Sequence, residues 1–200
     1  MANDQQIRTA VIGIGALGKH HARIYSQMPG IRLIAVVDTD LEKARNLAEE
    51  YGCEALRDYR DLPADVQAVS LAVPTVDHAE IGTYLLEKGI RLLVEKPIAA
   101  SLHEADRMIE AGKRSGAELL VGHSERYNPA LRAVVPFIRQ PRFFEGHRLG
   151  TFVSRSLDVD VILDLMIHDL DLVLWMAKER IREIRAVGIP VLTDKIDIAN

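Results

Sequence analysis

Cysteine is almost absent from this chain of 200 residues, which contains Cys53 alone. A single cysteine excludes an internal disulfide framework and leaves a cysteine-based zinc site without its other ligands. Excess positive charge is absent too, because the net charge is −4, so the chain lacks the basic field that attracts nucleic acid. No apolar run reaches the length of a membrane span, and the polar start shows no signal peptide. We expect a cytoplasmic protein with a small-molecule partner and no nucleic acid, membrane or metal partner.

Three glycines near the start of the chain carry the strongest positive signal. An apolar run ends in G-x-G-x-x-G spacing, a helix-like segment follows at once, and a second apolar run ends in Asp38 about twenty residues later. In nucleotide-binding sheets the first glycine makes a tight turn, the second admits the pyrophosphate, and the third lets helix pack on strand. Such glycines alone also occur without a nucleotide. With the flanking elements present, we predict a dinucleotide site that includes Gly13, Gly15, Ala16, Leu17, Gly18 and Asp38.

Asp38 also bears on which dinucleotide is bound. A carboxylate at this position accepts hydrogen bonds from the ribose 2′-hydroxyl and repels a 2′-phosphate. Asp40 adds a second negative charge, and the next basic residue is Lys43. We therefore predict NAD rather than NADP as the cofactor. The alternative for Asp38 is a turn residue that closes the strand.

Alternating apolar strands and amphipathic helices predict an α/β fold. Over residues 1–122 the pattern indicates a Rossmann-type, doubly wound parallel sheet, which serves as the NAD-binding domain. Residues 123–200 begin a second, α+β part of the chain, and the family resemblance given below implies that it is a substrate domain with an open, mostly antiparallel sheet. There we predict a helix to Arg139, a strand-like segment over Phe143–Phe152, a helix over Leu163–Ala177 and a strand over Ile181–Gly188. Because this second part is small and ends in β-prone sequence, we expect it to be truncated.

Glu95, Lys96 and Pro97 directly follow the fifth predicted strand. Ligands of doubly wound sheets bind outside the carboxyl ends of the strands, so Lys96 is expected at the edge of the cofactor. Glu95 beside it is suited to hold the ammonium group. An ordinary solvated lysine after a strand is the alternative. His78 follows the fourth strand, near the expected place of a nicotinamide.

A polar stripe interrupts the apolar helix over Leu163–Ala177. Asp164, His168 and Asp171 are spaced i, i+4 and i+7, which places them on one face. A carboxylate one turn from a histidine orients the imidazole and makes it a suitable acid or base for an alcohol or ketone. The alternatives are a satisfied core histidine and a helix-capping Asp164. A zinc site lacks an evident third ligand.

One set of motifs follows along the chain in this order: the glycine motif, Asp38, Val73-Pro74, Glu95-Lys96-Pro97 and Asp164-x-x-x-His168-Asp169. This set resembles the Gfo/Idh/MocA oxidoreductase family. This resemblance implies a dehydrogenase that transfers hydride between a sugar carbinol and nicotinamide. It implies that Lys96 stabilises the carbinol oxygen, that His168 exchanges its proton, and that Asp164 orients His168 or binds a substrate hydroxyl. The remaining cofactor contacts are then Val73, Pro74, Thr75, His78, Glu95 and Lys96.

Gly122-His-Ser-Glu-Arg-Tyr-Asn-Pro129 and the segment around Arg155 look similar to family members that oxidise the 3-hydroxyl of UDP-N-acetylglucosamine. Substrate contacts implied by this likeness are Arg126, Asn128, Arg155, Asp164 and His168. Arginines suit a diphosphate, but surface or ion-paired arginines are an equal alternative. The family also implies a longer chain and a homodimer or homotetramer. Two rival functions stay open: a non-catalytic NAD(P)-sensing regulator, and a reductase of a non-sugar substrate.

Overall fold

Two compact units make up the chain, Met1–Gly122 and His123–Asn200. A computed structural model describes residues 6–150 and 159–200. In those ranges no helix is long and apolar enough to cross a membrane.

The first unit is built on a six-stranded parallel sheet with the order β3-β2-β1-β4-β5-β6. This order reverses between β1 and β4, which makes their carboxyl ends the topological switch point where such sheets bind ligands. The predicted Rossmann-type sheet is therefore confirmed. Its strands are β1 Ile7–Ile12, β2 Ile31–Val37, β3 Glu54–Leu56, β4 Ala68–Leu71, β5 Arg91–Val94 and β6 Leu119–Val121.

Four helices connect the strands: α1 Gly18–Gln27, α2 Leu41–Tyr51, α3 Thr75–Glu87 and α4 Leu102–Ser115. Ser101 caps α4: the Glu104 amide donates to Ser101 Oγ over 3.3 Å, and that hydroxyl donates to the Glu104 carboxylate. Gly116 ends the same helix with φ of +76°, a conformation that glycine adopts without strain. Local sequence therefore fixes both ends of α4.

Apolar side chains cover both faces of the sheet. One cluster joins β1, β4 and β5 to α3 and α4, and includes Leu71, Leu85 and Met108. The other joins β1 and β2 to α1 and α2, and includes Val36 and Ala44. Helices on both faces explain why the central strands are apolar runs rather than alternating ones.

The second unit has less regular structure than predicted. It contains α5 Pro129–Val134, a π-helical turn over Ile162–Met166, α6 Ile167–Ala177 and an antiparallel pair, β7 Gly188–Ile189 with β8 Ile198–Ala199. Short 3₁₀ turns cover Ser124–Tyr127 and Val135–Phe137.

Three predicted elements of this unit are wrong in extent or type. The helix expected to reach Arg139 ends at Val134, because Pro136 has no amide hydrogen to continue the helical hydrogen bonding, and the chain goes on as the 3₁₀ turn over Val135–Phe137. Residues 143–150 form no strand, and Phe152 lies outside the described residues. Of the strand expected over Ile181–Gly188, only Gly188 belongs to a strand, Val187 beside it exchanges two backbone hydrogen bonds with Asn200, and Ile184 is exposed.

Candidate active site

Each glycine of the fingerprint has a distinct environment. Gly13 has φ of +78°, and a Cβ on it would come within 2.7 Å of the Ala72 carbonyl oxygen at the end of β4. A Cβ on Gly18 would lie 1.7 Å from the Gly13 carbonyl oxygen. A Cβ on Gly15, by contrast, would meet no protein atom within 4 Å. The outer glycines therefore close the turn, while Gly15 leaves the backbone open to a ligand.

No side chain caps α1, whose first residues follow this turn. Free amides and the positive end of the helix dipole make such a terminus suitable for a phosphate group. Ala16 and Leu17 are exposed at the same turn. The donor set therefore fits a pyrophosphate.

The Asp38 carboxylate lies against the glycine turn at the end of β2. The Ile14 amide donates to Oδ2 over 3.0 Å, and the Asp40 amide donates to Oδ1 over the same distance. Lys43 Nζ is 3.3 Å from Oδ2. Burial acts to raise the pKa of Asp38, but the two amides and Lys43 outweigh it and hold the pKa below its ordinary value. A fixed carboxylate thus occupies the position at which we predict ribose recognition.

An open cavity of about 470 Å³ adjoins this carboxylate. Its lining residues include Ile14, Lys19, Asp40 and Lys43. Both acidic and basic side chains line it, so our prediction of NAD rather than NADP rests on Asp38 and not on the cavity as a whole.

The loop after β4 brings Val73, Pro74 and Thr75 to the same edge of the sheet. His78 is fully buried below this loop, with Nε2 3.0 Å from the Val73 carbonyl oxygen and Nδ1 2.9 Å from the Pro97 carbonyl oxygen. Both ring nitrogens face protein acceptors. His78 therefore joins two loops of the predicted cofactor edge.

Glu95, Lys96 and Pro97 follow β5, also at the carboxyl edge. Lys96 is half-buried and its bond to Pro97 is cis. The Glu95 carboxylate lies 2.9 Å from Nε2 of His21, a residue of α1. The expectation that Glu95 serves the ammonium group of Lys96 thus omitted the His21 ring as a partner of Glu95, because this contact joins parts of the chain far apart in sequence.

In the second unit, Asp164 lies in the π-helical turn and His168 in the first turn of α6. Asp160 caps this helical segment, since its Oδ1 accepts the amides of Ile162 and Leu163 over 3.1 and 3.0 Å. Asp164 is therefore not the N-terminal cap. Both predicted acid–base residues are half-buried on one helical segment.

Asp171, the third member of the predicted stripe, is bound to an arginine. Arg126 donates to both carboxylate oxygens of Asp171, with Nε 2.8 Å from Oδ2. His123 Nδ1 lies 3.7 Å from the same oxygen. The hydrogen bond to Asp171 raises the pKa of Arg126. This pairing corresponds to the ion-paired alternative for the arginine.

Two other residues, Asn128 and Arg155, were predicted to contact the substrate. Asn128 caps α5, with its Oδ1 accepting the Ala130 amide over 3.0 Å, which occupies that side chain locally. Arg155 lies outside the described residues. A substrate role for either remains a prediction.

Comparison with known proteins shows the family of this chain. A sequence model of the oxidoreductase family with an NAD-binding Rossmann fold, Gfo/Idh/MocA, matches residues 7–123. The chain belongs to the Gfo/Idh/MocA family.

Named relatives within the Gfo/Idh/MocA family extend the likeness into the second unit. UDP-N-acetylglucosamine 3-dehydrogenase of Acidithiobacillus ferrooxidans is 39% identical over 198 residues, which cover 96% of this chain and 61% of that enzyme. Its solved structure matches with a TM-score of 0.89 over 97% of this chain and 64% of that one. Inositol 2-dehydrogenase of Rubrobacter xylanophilus is 32% identical, over 94% of this chain and 57% of its own length. The chain thus spans about three fifths of these relatives.

Sequence reasoning on this Gfo/Idh/MocA chain missed two contacts, made by His21 and by Arg126, and one helix cap, Asp160. The His21 contact to Glu95 and the Arg126 contact to Asp171 left no local signal, because each partner is distant in sequence. Asp160 was detectable, since an aspartate directly before an apolar helix is a common cap.

Proposed function

We propose that the protein to which this chain belongs is an NAD-dependent dehydrogenase of nucleotide sugars that oxidises the 3-hydroxyl of UDP-N-acetylglucosamine. The likeness in fold to the Acidithiobacillus enzyme over 97% of the chain, at 39% identity, carries the proposal. It supports the substrate class because it includes the second unit, where the predicted substrate residues lie, as well as the cofactor domain.

The cofactor preference rests on Asp38. Its carboxylate is held by the Ile14 and Asp40 amides, is suited to accept hydrogen bonds from the ribose hydroxyls, and repels an added phosphate. Gly15 and the uncapped start of α1 suit the pyrophosphate. We propose that Val73, Thr75 and Lys96 complete the cofactor edge.

Bound NAD supplies the acceptor for the hydride that leaves the carbinol carbon. The chemical work proposed for the chain is proton transfer and charge stabilisation. His168 takes the hydroxyl proton, Asp164 orients the imidazole or binds a neighbouring hydroxyl, and the Lys96 ammonium stabilises the developing oxygen charge. Arg126 reaches a substrate diphosphate only by sharing or releasing Asp171.

A free polyol is the second candidate substrate, favoured by the 32% identity to an inositol 2-dehydrogenase. The test is reduction of NAD and NADP by the full-length protein with UDP-N-acetylglucosamine, UDP-N-acetylgalactosamine and myo-inositol. We expect UDP-N-acetylglucosamine with NAD to give the highest kcat/KM. Turnover of myo-inositol alone contradicts the nucleotide-sugar assignment, and binding of cofactor without turnover of any sugar supports the regulator instead.

We also propose a cytoplasmic homodimer or homotetramer for the complete protein, as the family resemblance implies. Light scattering coupled to size-exclusion chromatography checks the assembly. A monomer at micromolar concentration contradicts it.

A further inference from the structure

A chain of hydrogen bonds crosses the first unit from α1 to the end of β5. The hydroxyl of Ser70, fully buried on the central strand β4, lies 2.8 Å from Nδ1 of His21 and 3.0 Å from the hydroxyl of Tyr25. The other ring nitrogen of His21 lies 2.9 Å from Oε1 of Glu95. Four side chains, two from α1, one from β4 and one from the turn after β5, therefore form one polar network.

Every polar group of this network finds a partner of the right kind. An ionised Glu95 carboxylate only accepts, so Nε2 of His21 carries a hydrogen and donates it. The Ser70 hydroxyl can donate to Nδ1 while it accepts from Tyr25, or accept from Nδ1 while it donates to Tyr25. A buried serine hydroxyl left without partners destabilises the fold, and the network avoids that cost. His21 is its central member, because only His21 contacts both Ser70 and Glu95.

Glu95 is confined on a second side by the backbone after β6. A Cβ on Gly122 would lie 3.1 Å from each of the three carboxyl atoms of Glu95. The Glu95 amide also donates to the Leu71 carbonyl over 3.0 Å, and only 15% of the side chain is exposed. The carboxylate therefore fits between the His21 ring and the Gly122 backbone.

The turn is also held at its far side. The Pro97 carbonyl oxygen lies 2.9 Å from Nδ1 of His78, which is fully buried. Lys96 thus stands between two anchored neighbours, Glu95 through His21 and Pro97 through His78. Two histidines from different helices set the backbone position of one lysine.

We infer that His21 is a positioning residue for Lys96: by anchoring Glu95 to the buried Ser70, it fixes the turn from which Lys96 projects. In this role His21 contacts neither the cofactor nor the substrate. We predict that loss of the His21 ring loosens the turn without unfolding the sheet, and that a side chain able to donate to Glu95 restores it.

The first test uses the full-length protein without substrate. In His21→Leu, amide hydrogen exchange of a peptide containing Glu95, Lys96 and Ile98 is expected to be about tenfold faster than in wild type, because the turn opens locally. A peptide from α2, Leu41–Tyr51, is expected to exchange at the wild-type rate. His21→Gln, which keeps a donor, is expected to retain most of the protection of the turn. His20→Leu is the matched control, since His20 is the exposed neighbour on the same helix.

The second test rests on the proposed function. With UDP-N-acetylglucosamine and NAD, His21→Leu is expected to lower kcat about tenfold while the KM for NAD stays within about threefold, since positioning rather than binding is lost. His21→Gln is expected to recover most of kcat. If wild type turns over no sugar, the proposed function fails, and the exchange test still decides the role of His21.

Gly122→Ala offers the same test from the opposite side if His21→Leu does not fold. Its methyl group displaces the Glu95 carboxylate by a few tenths of an ångström, and faster exchange confined to the turn is again expected. Unchanged exchange at the turn in both variants overturns the inference. Faster exchange throughout the first unit also overturns it, because His21 then supports the whole fold rather than the turn.

Discussion

At the scale of single residues, the predicted cofactor edge contains two carboxylates that neighbouring protein groups hold in place. Asp38 receives the Ile14 and Asp40 amides, and Glu95 is confined by His21 and Gly122. A group held in this way loses little conformational entropy when a ligand binds, so the site is largely preorganised.

Asp38→Ser should narrow the preference for NAD over NADP. The substitution removes the acceptor of the ribose hydroxyls and the charge that repels a 2′-phosphate, so NAD binding is expected to weaken by about tenfold or more while NADP binding strengthens. Titration of both reduced cofactors by fluorescence measures the ratio. Glu42→Gln, in the same cavity, is the control for a general change of charge. Tighter binding of NADP by the wild type contradicts the assignment.

Asp38 also links stability to pH. The pKa of its carboxyl is lower in the folded protein than its ordinary value of 3.8. Such a group stabilises the fold above the unfolded-state pKa, and the stabilisation is lost as the pH falls through the folded-state pKa. The difference in free energy of unfolding between wild type and Asp38→Asn should therefore shrink between about pH 6 and about pH 3 in urea titrations. A constant difference across that range contradicts this linkage.

Lys96→Ala and His168→Ala should impair chemistry rather than binding. Each is expected to lower kcat about 100-fold or more and to leave NAD affinity within about threefold, as for a lost acid–base or charge-stabilising group. Lys88→Ala, an exposed lysine elsewhere in the first unit, is the control. Near wild-type turnover in either variant shows that the assigned role is wrong.

At the scale of elements, the glycine turn separates structural from ligand-facing positions. In Gly18→Ala the added methyl group would lie 1.7 Å from the Gly13 carbonyl oxygen, so the free energy of unfolding should fall by about 2 kcal/mol or more. Gly15→Ala meets no protein atom within 4 Å, so it should fold normally and lose cofactor affinity instead. Urea unfolding and cofactor titration of both variants separate the two effects. Equal loss of stability in the pair contradicts the division.

Elements of the first unit were largely predictable from sequence, and those of the second only in part: the helix over Leu163–Ala177 is present, whereas the strand over Ile181–Gly188 is not. The strand before the glycines and the helix after them lie where the sequence pattern predicted them. The apolar residues around Ile184 also suggest a strand, yet a strand forms only where a partner supplies hydrogen bonds and covers an apolar face. The glycine turn and Asp38 carried a local motif, whereas the contacts of His21 and Arg126 depend on the tertiary fold.

At the scale of the whole molecule, the two units differ in how much core they contain. Among the described residues, every buried apolar side chain except Leu172 lies in Met1–Gly122. The cofactor edge is formed by that unit's own strands and loops. The residues that determine the stability of the first unit and its predicted affinity for cofactor therefore lie within that unit.

Residues 1–122 should accordingly fold alone and bind NADH, with one cooperative thermal transition and affinity within about tenfold of the full-length protein. Residues 123–200 alone should show no cooperative transition, because they bury almost no apolar side chain of their own. Calorimetry and NADH fluorescence on the two fragments check both statements. A cooperative melt of the second fragment contradicts the second.

The two outer strands of the six-stranded sheet, β3 and β6, have three residues each. Edge strands expose unpaired backbone groups that can pair with strands of other molecules, and very short edge strands are one way in which proteins avoid this form of aggregation. A neighbouring molecule could add only two or three ladder hydrogen bonds at either edge strand. Copies of the first unit are thereby discouraged from joining into a continuous intermolecular sheet, and a concentrated solution is protected against fibre-like growth through this domain.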